Sequence, residues 1–135
     1  MRIISIKQPW ASLIVAGARN IETGEIDLKD IENRTWPTKY RGPLLIHASG
    51  RPDAISRDEI ARCFGVHLGE DAPVGGVVGI ADLIDCVPEH SSKWHVAGHY
   101  GFVLANARAM RFKPWRGALS IRQAPAELLA HYGLI

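Results

Sequence analysis

Leu44-Leu45-Ile46-His47-Ala48, entered through the tight Gly42-Pro43 pair, is an apolar run of strand length with one polar side chain in it. Four runs of the same kind lie outward from it: Ile3 to Ile6, Val77 to Val87, Gly101 to Leu104 and Gly117 to Ile121. Ile31 to Trp36 is a weaker sixth. Gly, Pro and polar clusters separate them, and only two of the gaps have room for a crossover helix. The pairing is therefore expected to be mostly antiparallel, in a curved sheet that closes toward a small barrel.

Three short helices fit the remaining apolar periodicity. Pro9 suits a first helical position, with Trp10, Leu13 and Ile14 at helical spacing and Gly17 placed to end the turn. That spacing assigns Trp10 to the core. Ser56 and Glu59 have capping-box spacing, Ile55 and Ile60 stand where a hydrophobic staple would pack, and Gly65 is a C-cap. Ile60, Cys63 and Phe64 form the expected buried stripe. The third helix starts around Pro125, buries Leu128, Leu129 and Tyr132, and stops at Gly133.

The 135 residues fit one domain over 1–135, and 47% apolar with 22% charged residues is an ordinary globular balance. Met1 and Arg2 lead directly into a strand with no signal-peptide core, and no apolar run approaches the roughly 18 residues of a spanning helix. A cytoplasmic location away from membranes is expected. Cys63 and Cys86 lie among apolar neighbours and read as small buried hydrophobes, with no disulfide or metal between them.

A formal net charge of +2 identifies no partner, but its distribution is uneven. Glu22, Glu25, Asp27, Asp30 and Glu32 crowd the stretch from Arg19 to Glu32. The stretch from Ala107 to Gln123 holds Arg108, Arg111, Lys113, Arg116 and Arg122 with no acid, and Phe112 and Trp115 lie between. Cations interleaved with aromatics suit a groove that follows a sugar-phosphate backbone; a basic rim over two core aromatics reads equally well. Arg19-Asn20-Ile21-Glu22 and Lys29-Asp30-Ile31-Glu32 repeat one pattern. The polar Thr23 to Leu28 between them is a surface loop or hairpin tip.

Three segments together resemble the ASCH domain family: Ser5 to Ala11, Lys29-Asp30-Ile31-Glu32-Asn33-Arg34-Thr35-Trp36, and Tyr40-Arg41-Gly42 through Ile46-His47-Ala48. The likeness is good over Met1 to Ser49 and looser beyond. It implies an α+β, mainly β fold: a PUA-like small β-barrel of five to six mostly antiparallel strands with three peripheral short helices. It also implies a cleft lined by Lys29, Glu32 and Arg34, single-stranded RNA or a modified nucleoside as partner, and no cofactor. The family's glycine two residues before its lysine is here Gly17. Arg19 and Glu22 keep that spacing, whereas Lys29, Glu32 and Arg34 keep the whole motif; the second register preserves more positions.

On a strand Glu32 and Arg34, two residues apart, share a face, where they bind one ligand or each other. Lys29 folds over the same mouth as a mobile cation. Lys7 and Arg41 read either as additional phosphate contacts or as solvated surface charges, Trp36 and Tyr40 offer stacking surfaces for splayed bases, and Arg111, Lys113 and Arg116 would extend the track. His47 reads either as a base near neutral pH at the barrel mouth or as a buried hydrogen-bonded histidine. His90, His95 and His99 with Glu89 match no zinc spacing, so no metal is expected.

Some ASCH-type proteins resemble ribonucleases on single-stranded RNA. Others are amidohydrolases that release an acyl group from a modified cytidine; there the motif lysine is catalytic and a threonine stands where Glu32 is here. The leading expectation is an RNA-binding domain with metal-independent ribonuclease chemistry, Glu32 or His47 as base and Lys29 with Arg34 holding the phosphorane charge. An amidohydrolase using Lys29 with Asp82, and a non-catalytic adaptor domain that reads another protein, are the alternatives. Lys29 and Glu32 are expected to line the mouth without filling the core, so replacing them should spare the fold.

Overall fold

The computed structural model describes residues 1–69 and 72–135. Its larger sheet is built from β1 (Arg2–Ile6), β4 (Ile31–Arg34), β5 (Gly42–Ala48), β7 (Gly76–Val87), β8 (Tyr100–Pro114) and β9 (Arg122–Gln123), in the order β4-β8-β7-β5-β1-β9. A small sheet joins β3 (Ile26–Asp27), β2 (Ala18–Asn20) and β6 (Val66–His67). Around them lie α1 (Trp10–Val15), α2 (Arg57–Phe64) and α3 (Ala126–His131). The fold is mainly β, a curled six-stranded half-barrel consistent with a PUA-like small β-barrel. Pairing is antiparallel except between β1 and β5, which run parallel with Ile4 opposite Ile46.

β1 and β5 read as continuous apolar runs because both of their faces are covered. With side chains alternating, Ile4 and Ile6 face a core shared with α1, Leu44, Ile46 and Phe102, while Ile3 and Leu45 pack with Leu128 and Leu129 of α3. Register shifts between Val77 and Gly79, Ile80 and Asp82, and Leu83 and Asp85 bend β7 against β8; bulges of this kind increase twist and curl a sheet. Gly79 lets α1 close onto the curl. A Cβ there would lie 2.4 Å from the Arg108 carbonyl oxygen and 2.8 Å from Val15 Cβ.

Several expectations hold. α2 carries the full capping box, with Ser56 Oγ accepting from the Glu59 N–H, and Gly65 closes it in the left-handed region. Thr23 to Leu28 spans the tip of the β2–β3 hairpin and β3 itself. No helix of the described residues is long and apolar enough to cross a membrane.

Others need correction. The strand expected at Gly101 to Leu104 runs to Pro114; β4 covers only Tyr100 to Val103, so the rest has one edge unpaired among the described residues and carries polar side chains. Gly117 to Ile121 is not a strand. Ser120 adopts a positive φ of 64° and the chain pairs with β1 only at Arg122 and Gln123. Cys63 is exposed and Cys86 half-buried, against the expectation of buried thiols. On α2 the buried side chain is Ile60, with Phe64 one turn on; Cys63 points away from that line.

Candidate functional site

A cleft of about 840 Å³ opens between the ends of β1 and β4, the C-terminal end of α2, and the loop 117–120. Its floor follows from strand alternation on β4: Ile31 packs inward beside Leu13 and Trp94, and Glu32 and Arg34 fall together on the face toward the cleft. Lys29 arrives from the turn before β4, its backbone N–H held by the Leu13 carbonyl at 2.9 Å. Its ammonium donates to the Ile31 carbonyl and pairs with Glu32 Oε1 at 3.1 Å.

Arg34 takes the other carboxylate oxygen, Nε at 3.1 Å and Nη2 at 2.8 Å from Glu32 Oε2, and Nη2 also donates to the Ser5 carbonyl at 2.9 Å. That last bond ties β4 to β1, nearly closing the barrel. Glu32 thus sits between two cationic side chains, so the trio holds two bases against one acid. Lys29 is 4% exposed, so the pair is buried and not merely at the mouth. Arg34 Nη1 has no partner among the described residues, and neither does the ammonium of the exposed Lys7 at the cleft edge.

Aromatic rings form the walls. The Arg34 guanidinium lies 5.9 Å from the Trp36 ring, and Trp36 meets Phe102 edge-on at 5.3 Å. Opposite, the Lys29 ammonium is 5.8 Å from the Trp10 ring, whose Nε1–H donates to Asp53 Oδ2 at 2.9 Å. Phe64 meets Trp10 edge-on at 5.8 Å and stacks on Trp94 at 4.6 Å. Trp10 packs against two of the core clusters, as its helical spacing leads one to expect, and its ring also walls the cleft.

His47 lies beneath the rim loop, 1% exposed. Its Nε2–H donates to the Trp115 carbonyl at 2.7 Å, which leaves Nδ1 to accept from the Ser5 hydroxyl at 3.0 Å. Both ring nitrogens are occupied, the buried hydrogen-bonded alternative of the two readings. Asp82 does not enter the cleft: its Oδ2 accepts from Asn106 Nδ2 at 2.9 Å on the β7–β8 surface. Tyr40 and Arg41 also lie outside it. The Tyr40 hydroxyl donates to the Pro43 carbonyl at 2.5 Å under the Arg2 guanidinium, and Arg41 donates to Thr38 and Tyr40 carbonyls and faces Asp85 at 3.6 Å.

Arg111 and Arg116 are exposed and Lys113 half-buried along β8 and just past it. Arg116 immediately precedes the rim loop, so this stretch adjoins the cleft without lining it. Arg19, the alternative to Lys29, is exposed on the hairpin and bonds the Gly24 carbonyl; Lys29, Glu32 and Arg34 are the set brought together. Sequence reasoning missed Trp94, Phe64 and the rim loop as parts of the cleft. Only long-range packing joins them to β4, and no local spacing announces it.

No family model matches the chain. It is 36% identical over 93 residues to Activating signal cointegrator 1 of Mus musculus, a match covering 64% of this chain and 14% of that protein. Against Activating signal cointegrator 1 of Homo sapiens it is 34% identical over 97 residues, 67% of this chain and 15% of the relative. The chain thus spans about one part in seven of the curated relatives it matches.

Proposed function

We propose that this chain is an ASCH-type RNA-binding domain that holds one unpaired base of a single strand in the cleft, with the flanking phosphates on Lys7, Arg34 and the Arg111–Arg116 stretch. The observation that carries this is the meeting of uncommitted cationic donors, Lys7 and Arg34 Nη1, with the indoles of Trp10 and Trp36 in one opening. Every base has a π face, and stacking beside cations is how single strands are held without a fixed sequence. The motif over Met1 to Ser49 supports the same family.

Binding is favoured over hydrolysis. Glu32 is held between Lys29 and Arg34, both His47 nitrogens are hydrogen-bonded inside the fold, and Asp82 lies outside the cleft, an arrangement that suits holding a ligand better than proton transfer to it. The adaptor reading rests on the relatives being called a signal cointegrator.

Titrating a fluorescent single-stranded oligoribonucleotide at several salt concentrations tests the proposal. Each phosphate held by a cation releases counterions, so log affinity should fall against log salt with a slope of about −0.7 per phosphate. Binding that is absent at low salt, or flat with salt, contradicts it and leaves the adaptor reading ahead.

A further inference from the structure

The rim loop carries a side chain that nothing covers. Leu119 is 90% exposed and stands at the edge of the cleft. Leaving a leucine in water forgoes stabilisation that burial would give. Yet its backbone is fixed on both sides.

On the near side, Ser5 Oγ accepts the Ala118 N–H at 3.3 Å, and Ser5 is itself bonded to buried His47, which also holds the Trp115 carbonyl. Gly117 sits directly on this clamp: a Cβ there would lie 2.7 Å from His47 Cε1 and 2.8 Å from Ser5 Oγ. On the far side, Ser120 turns the chain through a positive φ of 64° before β9 pairs with β1. The loop therefore presents Leu119 outward from a held base.

A cleft that takes one base from a strand leaves a gap between the bases on either side of it. An apolar side chain set into that gap offsets the missing stacking, and wedges of this kind accompany unstacked bases in nucleic-acid complexes. We infer that Leu119 is a stacking wedge, which takes the place of the nucleotide drawn into the cleft, so that the ligand is a base extracted from a stacked RNA strand. This rests on the RNA reading of the cleft.

The test compares oligoadenylate, whose purines stack in the free strand, with oligouridylate, whose pyrimidines scarcely do. Affinities of the wild-type protein, Leu119→Ala and Leu119→Met are measured for both at one low salt concentration. Leu119→Ala should weaken oligoadenylate binding about tenfold, the scale of losing most of a buried leucine side chain, and change oligouridylate binding less than about twofold. Leu119→Met, still long and apolar, should restore the oligoadenylate affinity. Equal weakening on both strands, or none on either, overturns the wedge while the RNA reading stands; wild-type protein that binds neither strand overturns both.

Discussion

Replacing Lys29 by methionine keeps its length in a 4% exposed position but removes one of the two charges that balance Glu32. Breaking one side of a buried ion pair costs about 3 kcal/mol. Urea unfolding should show destabilisation of that order. Lys29→Met with Glu32→Gln should cost less than the two singles combined, by a coupling of about 0.5–3 kcal/mol; strict additivity would mean the pair contributes nothing. The spacing Lys29-x-x-Glu32-x-Arg34 made the pairing legible in the sequence, but not its depth. Depth comes from Leu13, which holds the Lys29 backbone, and from Trp10, which covers its ammonium. Hence the fold should not be indifferent to these residues, as the sequence alone led one to expect. Two tyrosines give the pH dependence. Burial pushes the Tyr40 phenol up, against the lowering effect of Arg2, and burial likewise raises Tyr132 against Arg111. Both hydroxyls donate to backbone carbonyls, Pro43 for Tyr40 and Arg111 for Tyr132, bonds that need the protonated form. Their contribution is therefore complete below the ordinary tyrosine value of about 10 and disappears as pH rises through the raised values. Absorbance titration should show phenolate appearing above the ordinary range, a component absent from Tyr40→Phe/Tyr132→Phe.

At the scale of elements, β8 and the loop after it combine the least legible segment with several exposed cations. If Arg111, Lys113 and Arg116 follow the phosphate track, replacing all three by alanine should flatten the salt slope by about 0.7 for each phosphate no longer held. The melting temperature should barely move, because Arg111 and Arg116 are exposed and Lys113 only half-buried. An unchanged slope in the folded variant would assign the stretch to an ordinary solvated face. The length of β8 was hidden because Arg108, Arg111 and Lys113 interrupt the apolar signal on an edge that β4 leaves open beyond Val103. Gly117 to Ile121 misled in the opposite direction: its apolar Ala118 and Leu119 suggested a strand, while the positive φ at Ser120 is a backbone property that serine does not announce. Where local chemistry fixes the element, as with Ser56, Glu59 and Gly65 around α2, sequence and structure agree.

Across the whole molecule, the curl brings the edge strand β4 of the larger sheet to β1, the second strand from its other edge, with Arg34 reaching the Ser5 carbonyl. This closure converts a short motif into a floor and places α2 and the rim loop as its walls. The apolar runs made the strands and the mainly β class legible. The cleft was only half legible, since Trp94, Phe64 and Leu119 reach it from segments far along the chain. Whether that cleft is where RNA binds is answered most directly by amide and indole chemical shifts in a titration of the 135-residue chain with a short single-stranded oligoribonucleotide. The expected result is perturbation of the Ser5, Lys7, Arg34 and Gly117 to Ser120 amides and of the Trp10 and Trp36 indole N–H groups. Perturbations confined to the Tyr40–Arg41 surface or to β8, with both indoles silent, would contradict it.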